Sequence, residues 1–378
     1  MPNFKAKKLF ELDLPKTFDD VSFGFCTKEQ NGKTLIYTTV KDKSFFIEIN
    51  KKSNEFVVKI DKLTKITNLA LMQKALDVFK NNFCDDITVQ AFKFDENKKL
   101  SNNIISSVNE FISLVKDKEN VFLEIGFGSG RHLLYQAKKN PENTYIGIEI
   151  HKPSLIQVSK LAKDLNNVLL LDFDARIAIK ELADNSLNGV YLHFPVPWDD
   201  APHRRVVSSD FYNDLSRVLK VNGFFELRSD SYEYALYTKN IFKDTDYDFF
   251  KNKDAKIVSK YEDRWLKMNK NIYDFISYKK ENIANLKEKS NEKDVSFIID
   301  FSKIQLLKFV GDDYFVKITK IFEINDGFLL SLAYGGFDTP SVSYLECKKN
   351  TRFKFLFFDF CPTVHNIKAF SKLKELLE

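Results

Sequence analysis

Three carboxylates stand around a glycine turn at spacings that suit a nucleoside. In VFLEIGFGSG, Glu124 precedes Gly126, Gly128 and Gly130; Glu149 follows Gly130 by 19 residues, and Asp174 closes the apolar run VLLLDFDA. Glycines let the backbone reverse sharply and bring N–H groups close to a ligand. A carboxylate about 20 residues further on can accept from both ribose hydroxyls. A dinucleotide site would need G-x-G-x-x-G, but here the pattern is G-x-G-x-G and position 131 is Arg131. Glu124 would repel a pyrophosphate and welcome a cation, and S-adenosylmethionine carries both a sulfonium and an amino group. The expected cofactor site is therefore Glu124, Gly126, Phe127, Gly128, Glu149, Asp174 and Ala175. Asp174 is placed to accept from the adenine amino group, small Ala175 leaves room for the flat ring, and Asp174 can also cap a helix over 176–183.

These residues need a strand, a turn, a helix and a second strand to position them. VFLEI, a helix over 131–139 and YIGIEI make one nucleotide-binding βαβ unit. Residues 168–175 form the third strand, and GVYLHFPVPW the fourth, which two prolines must end. Its mouth, Phe194 to Trp198, is expected at the carboxyl edge of the sheet, where open α/β sheets bind ligands. His203, Arg204 and Arg205 follow directly and read as phosphate or base contacts. His151 falls in a loop near the ribose, and His193 lies inside the fourth strand, as a packed or hydrogen-bonded core residue.

LEIGFGSG, YIGIEIH, DFDA, HFPVPW, HRRV, the Ser229-Asp230 pair and SKYEDR at 259–264 occur in an order and spacing that resembles the bacterial tRNA (guanine-N7-)-methyltransferases, over about 121–278. The resemblance implies methyl transfer from S-adenosylmethionine to N7 of a guanine in the tRNA variable loop. It implies that Glu124, Glu149 and Asp174 contact the cofactor and that Asp230, Ser259, Tyr261 and Glu262 face the tRNA. Two departures stand out: the family's aspartate in FPDPW is Val196, and acidic Asp199 and Asp200 replace the usual lysines after the tryptophan. No catalytic acid or base is assigned, and none is demanded, because guanine N7 carries an in-plane lone pair and no proton. Two rival readings remain. A methyltransferase for a small molecule or protein would have no use for the basic turn, and a non-catalytic RNA-binding subunit is suggested by Val196.

The chain has 378 residues, 44% hydrophobic, which exceeds one ordinary domain. Its 58 Lys and Arg against 53 Asp and Glu leave +5, and residues 251–293 hold 12 basic against 7 acidic groups beside Tyr261, Trp265 and Tyr273. Such a segment suits phosphate contacts with interleaved stacking, or a solvated lysine-rich helix. Cys26, Cys84, Cys347 and Cys361 are dispersed, and MPNFKAKKLF lacks a leader's apolar core. The expectation is a reducing, cytoplasmic compartment, no membrane span and no metal, since Cys361 and His365 have no second spaced pair. Oligomeric state is not legible.

The expected fold is α/β: a Rossmann-like class I methyltransferase sheet at 100–280 between two smaller β-rich α+β modules, at 1–95 and 290–378. In the first, strands are expected at 21–26, 34–40, 44–49, 55–60 and 87–93 with a helix at 66–83. In the last, strands are expected at 295–301, 303–309, 314–322, 328–334 and 353–360 with a helix at 365–377. NIANLKEKSNEKD between them reads as a helical tail or linker.

Overall fold

The computed structural model describes residues 2–64, 66–94, 104–105, 107–254, 267–281, 294–357 and 359–378. Two compact units emerge: Met1–Leu100 with Lys289–Glu378, and Ser101–Glu288. Among the described residues there are three sheets, and no helix is long and apolar enough to cross a membrane.

In the first unit the leading flank supplies β1 (Asn3–Leu9), β2 (Lys16–Phe18), β3 (Val21–Cys26), β4 (Lys33–Val40), β5 (Lys43–Lys51), β6 (Phe56–Ile60), α1 (Leu69–Phe83) and β7 (Cys84–Gln90). They form an antiparallel sheet in the order β2-β3-β4-β5-β6-β1-β7. β1 was not foreseen. Its lysines hide a period-two pattern in which Phe4 and Ala6 are wholly buried while Lys7 and Lys8 face water. Helix α1 starts at Leu69, because the Asn68 side chain caps the N–H groups of Ala70 and Leu71.

The second unit contains β8 (Ile104–Ile105), α2 (Val108–Val115), β9 (Val121–Ile125), α3 (Arg131–Lys139), β10 (Thr144–Ile148), α4 (Lys152–Leu161), β11 (Val168–Leu171), α5 (Ala175–Glu181) and β12 (Leu187–His193). It continues with α6 (Ser209–Val218), β13 (Leu219–Ser229), α7 (Tyr232–Ile241), β14 (Asp246–Lys251) and β15 (Tyr273–Tyr278). The sheet order is β14-β15-β13-β12-β9-β10-β11-β8. It is parallel from β13 to β8, while β15 runs antiparallel to β13 and β14. Buried parallel strands read as continuous apolar runs, which is why VFLEI and VLLL were recognisable. The chain leaves β9 toward β10 on one side and returns through β12 on the other. That reversal opens a crevice at the carboxyl ends of β9 and β12.

The closing flank supplies β16 (Lys308–Val310), β17 (Tyr314–Ile324), β18 (Gly327–Gly336), β19 (Pro340–Lys348), β20 (Lys354–Leu356) and α8 (Val364–Leu377), an antiparallel sheet in chain order with α8 packed on it. The strand expected at 295–301 is instead a single bridge, Ile298 to Arg352, followed by a 3-10 turn at Phe301–Lys303 that the Asp300 side chain caps. The two flanking sheets share an apolar layer in which Leu35 and Phe46 meet Phe322, Ile324, Leu329 and Tyr344. The Lys28 N–H donates to the Glu323 carbonyl at 2.8 Å across it.

Candidate active site

β9 ends in the glycine turn. Gly126, Gly128 and Gly130 have φ of +68°, +53° and +70°, in the left-handed region that side chains avoid. A side chain at Gly130 would strike Val158 at 2.7 Å, so this glycine lets α3 and α4 pack closely, whereas one at Gly126 would meet nothing within 4 Å. Gly126 therefore borders open space at the crevice. Phe127 turns its ring into the core with Leu133, Leu134 and Tyr145, leaving its main chain to the turn.

Glu149 is 9% exposed and ties the turn to the next strand. Its Oε2 accepts from the Gly128 N–H at 3.0 Å and its Oε1 from the His151 N–H at 2.9 Å. Each oxygen keeps a lone pair that a ribose hydroxyl could use. Asp174 caps α5: Oδ1 accepts from the Arg176 N–H at 2.9 Å, and Arg176 Nη2 lies 2.7 Å from Oδ2. Ala175 is buried beside it.

Glu124 is held by a residue that the sequence did not single out. Its Oε2 lies 2.8 Å from His132 Nδ1, and His132 Nε2 lies 3.0 Å from Gln136 Nε2, one turn further along α3. Strand register extends this pair across the sheet, because Tyr191 pairs with both Glu124 and Glu226. The His132 ring packs against Tyr191 and His193, with centroids 4.7 and 4.6 Å apart, and His193 Nε2 lies 2.8 Å from Glu226 Oε1. His193 is thus the hydrogen-bonded core residue expected. Atoms of Glu124, His132 and His193 lie within 4.8 Å of one another, a spacing a cation could use, and the 2.8 Å Glu124–His132 contact has the length of an ordinary hydrogen bond.

Burial opposes ionisation of Glu226, yet the His193 hydrogen bond and the nearby His193, His132 and Arg228 charges outweigh it and hold the carboxyl at about 2. For His132 burial favours the neutral ring, and the Glu124 carboxylate overcomes it and raises the imidazole above its ordinary value. Burial pushes Asp274 up to about 6, against the pull of Arg228, whose Nε lies 3.1 Å away.

The opposite wall is the mouth of β12, where Phe194 and Trp198 take φ of +52° and +48° and Val196 is 60% exposed. Arg205 departs from expectation: it is only 7% exposed and faces inward. Its Nε donates to the Pro197 carbonyl at 2.7 Å, Nη2 lies 3.2 Å from Asp199, and the guanidinium sits 4.9 and 4.8 Å from the Tyr234 and Tyr237 ring centres. It fixes this loop and is not available to phosphate. Arg204 lies outside, 5.0 Å over the Trp198 ring, and His203 is exposed beside it. Asp230 follows β13, 3.4 Å from Lys270 Nζ. Ser259, Tyr261, Glu262 and Trp265, and the expected linker up to residue 293, lie outside the described residues.

A parallel sheet reversing between β9 and β12, with a glycine turn on one side and an acid at the tip of β10, defines a Rossmann-like class I methyltransferase. Residues 118–275 match the family model described as "Putative methyltransferase". The chain belongs to the tRNA (guanine-N(7)-)-methyltransferase family. It is 42% identical to the relative of that name from Campylobacter jejuni, over 100% of this chain and 99% of that one. It is 39% identical to that from Campylobacter fetus, with 100% and 99% covered, and 34% identical to that from Helicobacter pylori, with 100% and 98% covered. The flanks that enlarge this chain are thus shared by these relatives.

Proposed function

We propose that this chain transfers a methyl group from S-adenosylmethionine to N7 of the variable-loop guanine of tRNA, in the cytoplasm. The observation that carries the reading is the buried Glu149 carboxylate bound to the Gly128 N–H at the edge of the open crevice. Full-length kinship to enzymes named for this reaction supports the substrate.

When bound, S-adenosylmethionine supplies a methyl carbon made electrophilic by its sulfonium. Glu149 would hold the ribose, Asp174 with Ala175 the adenine, and Glu124 the cationic end, while the turn's open face at Gly126 leaves room for the ligand. N7 needs no base to become nucleophilic, so the protein's work is alignment, which can remove several kcal/mol of barrier. Asp230 and the Arg204–Trp198 pair face the substrate in this reading; a guanidinium over an indole offers both charge and a stacking surface. The test is incubation with unmodified bulk tRNA and labelled cofactor, followed by mapping of the modified nucleotide. Label at a guanine amine or an adenine would defeat the proposal, and cofactor binding without transfer would point to an RNA-binding role.

A further inference from the structure

We propose that His132 is a positioning residue for the cofactor site, holding the Glu124 carboxylate through its Nδ1 proton and, by taking up a second proton, making cofactor affinity depend on pH. The proposal rests on the S-adenosylmethionine reading above.

His132 stands one residue into α3, with its ring fixed on every side. Glu124 of β9 lies 2.8 Å from Nδ1 and Gln136 of α3 lies 3.0 Å from Nε2. Tyr191 and His193 of β12 pack on its faces, and Glu226 and Arg228 of β13 act on it through their charges. The Gln136 atom that meets Nε2 is its amide nitrogen, which can only donate. His132 therefore accepts there, and its one proton lies on Nδ1, toward Glu124. In this tautomer the ring orients the carboxylate without cancelling its charge, so the site keeps its attraction for a cationic ligand. Turning the Gln136 amide over would present its oxygen instead and admit the imidazolium, which would neutralise Glu124.

Linkage fixes the sign. The imidazole is raised above its ordinary value by Glu124, against burial, so protonation is favoured in mildly acidic solution. A cationic ligand disfavours the second proton, hence binding expels it and affinity rises as pH rises through this range. One unit of pKa difference between free and bound forms corresponds to about a tenfold change in affinity.

The experiment is calorimetric titration of the full chain with S-adenosylmethionine from about pH 5.5 to 7.5, below the range of the cofactor's own amine, in two buffers of different ionisation enthalpy. The wild type is expected to bind about tenfold more tightly at the upper end and to release a proton. His132→Asn, which retains an N–H near the Nδ1 position but does not titrate, should keep the upper-end affinity across the whole range and release none. His132→Phe should bind weakly throughout. A wild type flat with pH, or an Asn variant with the wild-type slope, overturns the proposal while leaving the cofactor reading intact. Equal loss of affinity and melting temperature in both variants would make His132 structural only. No binding by the wild type at any pH would remove the cofactor reading, and the proposal with it.

Discussion

Glu149 on the tip of one strand accepts the Gly128 N–H from the turn after its neighbour, at 3.0 Å. This carboxylate shapes the turn and, in the proposed reading, faces the ligand. Glu149→Ala is expected to weaken S-adenosylmethionine binding by about 1–3 kcal/mol, the scale of lost charge-assisted hydrogen bonds. Gly128→Val should bind worse still, since φ of +53° is hostile to a β-branched residue. Calorimetry showing wild-type affinity in either variant would take that residue out of the site.

Arg204 and Arg205, adjacent in sequence, should behave differently. Arg204→Ala is expected to leave cofactor affinity unchanged, raise the KM for tRNA and lower the slope of log affinity against log salt by about one. Arg205→Ala should instead lower the melting temperature, because about 2 kcal/mol or more follows from orphaning the Pro197 carbonyl and losing two ring contacts. An intact melting temperature in Arg205→Ala would return that side chain to the RNA surface.

Val196 and Asp230 test the alignment argument. Val196→Asp, which installs the aspartate that the resemblance implies at this point, should alter turnover only modestly, because the side chain is exposed and the flanking prolines fix its path. Asp230→Ala should cost on the order of 100-fold in kcat through lost positioning. A large gain from Val196→Asp would mean that the reaction needs a carboxylate at that point after all.

Glu226 carries a pH signature of its own. Its carboxyl is held at about 2 in the fold against an ordinary 4.5. The stability this confers is present above about pH 4.5 and is lost as pH falls toward 2. Urea midpoints measured across this window should therefore slope downward in the wild type, and less steeply in Glu226→Gln. Parallel slopes would show that the His193–Glu226 pair does not govern acid stability.

The βαβ unit was legible because each part is signalled locally: an apolar run, three glycines, and a helix whose ends, 131 and 139, coincide with those observed. Asp174 was read both as a helix cap and as a cofactor contact, and the structure places it as the cap. The Glu124–His132–His193–Glu226 arrangement was not legible, since it depends on the register of three strands and on which face α3 presents. A hint existed in FFELRS, where Glu226 and Arg228 interrupt an apolar strand, as buried charges do when partners await them. Arg205 misled for the complementary reason: charge beside charge suggests a shared surface, but a tight turn sends neighbours opposite ways. β1 escaped notice because its three lysines match its three apolar residues in number and mask their alternation.

The apolar layer shared by Phe46 and Phe322 makes the order of synthesis matter. The leading flank emerges from the ribosome first, the methyltransferase unit is completed next, and only then do the strands that cover Leu35 and Phe46 appear. At roughly 5–20 residues per second that wait is on the order of ten seconds or more. For that interval an aromatic sheet face stands uncovered, a surface open to aggregation unless a chaperone shields it. Leu377, buried in α8, belongs to the last of the described elements to be synthesised, so the contacts it makes with its sheet are among the last that can form.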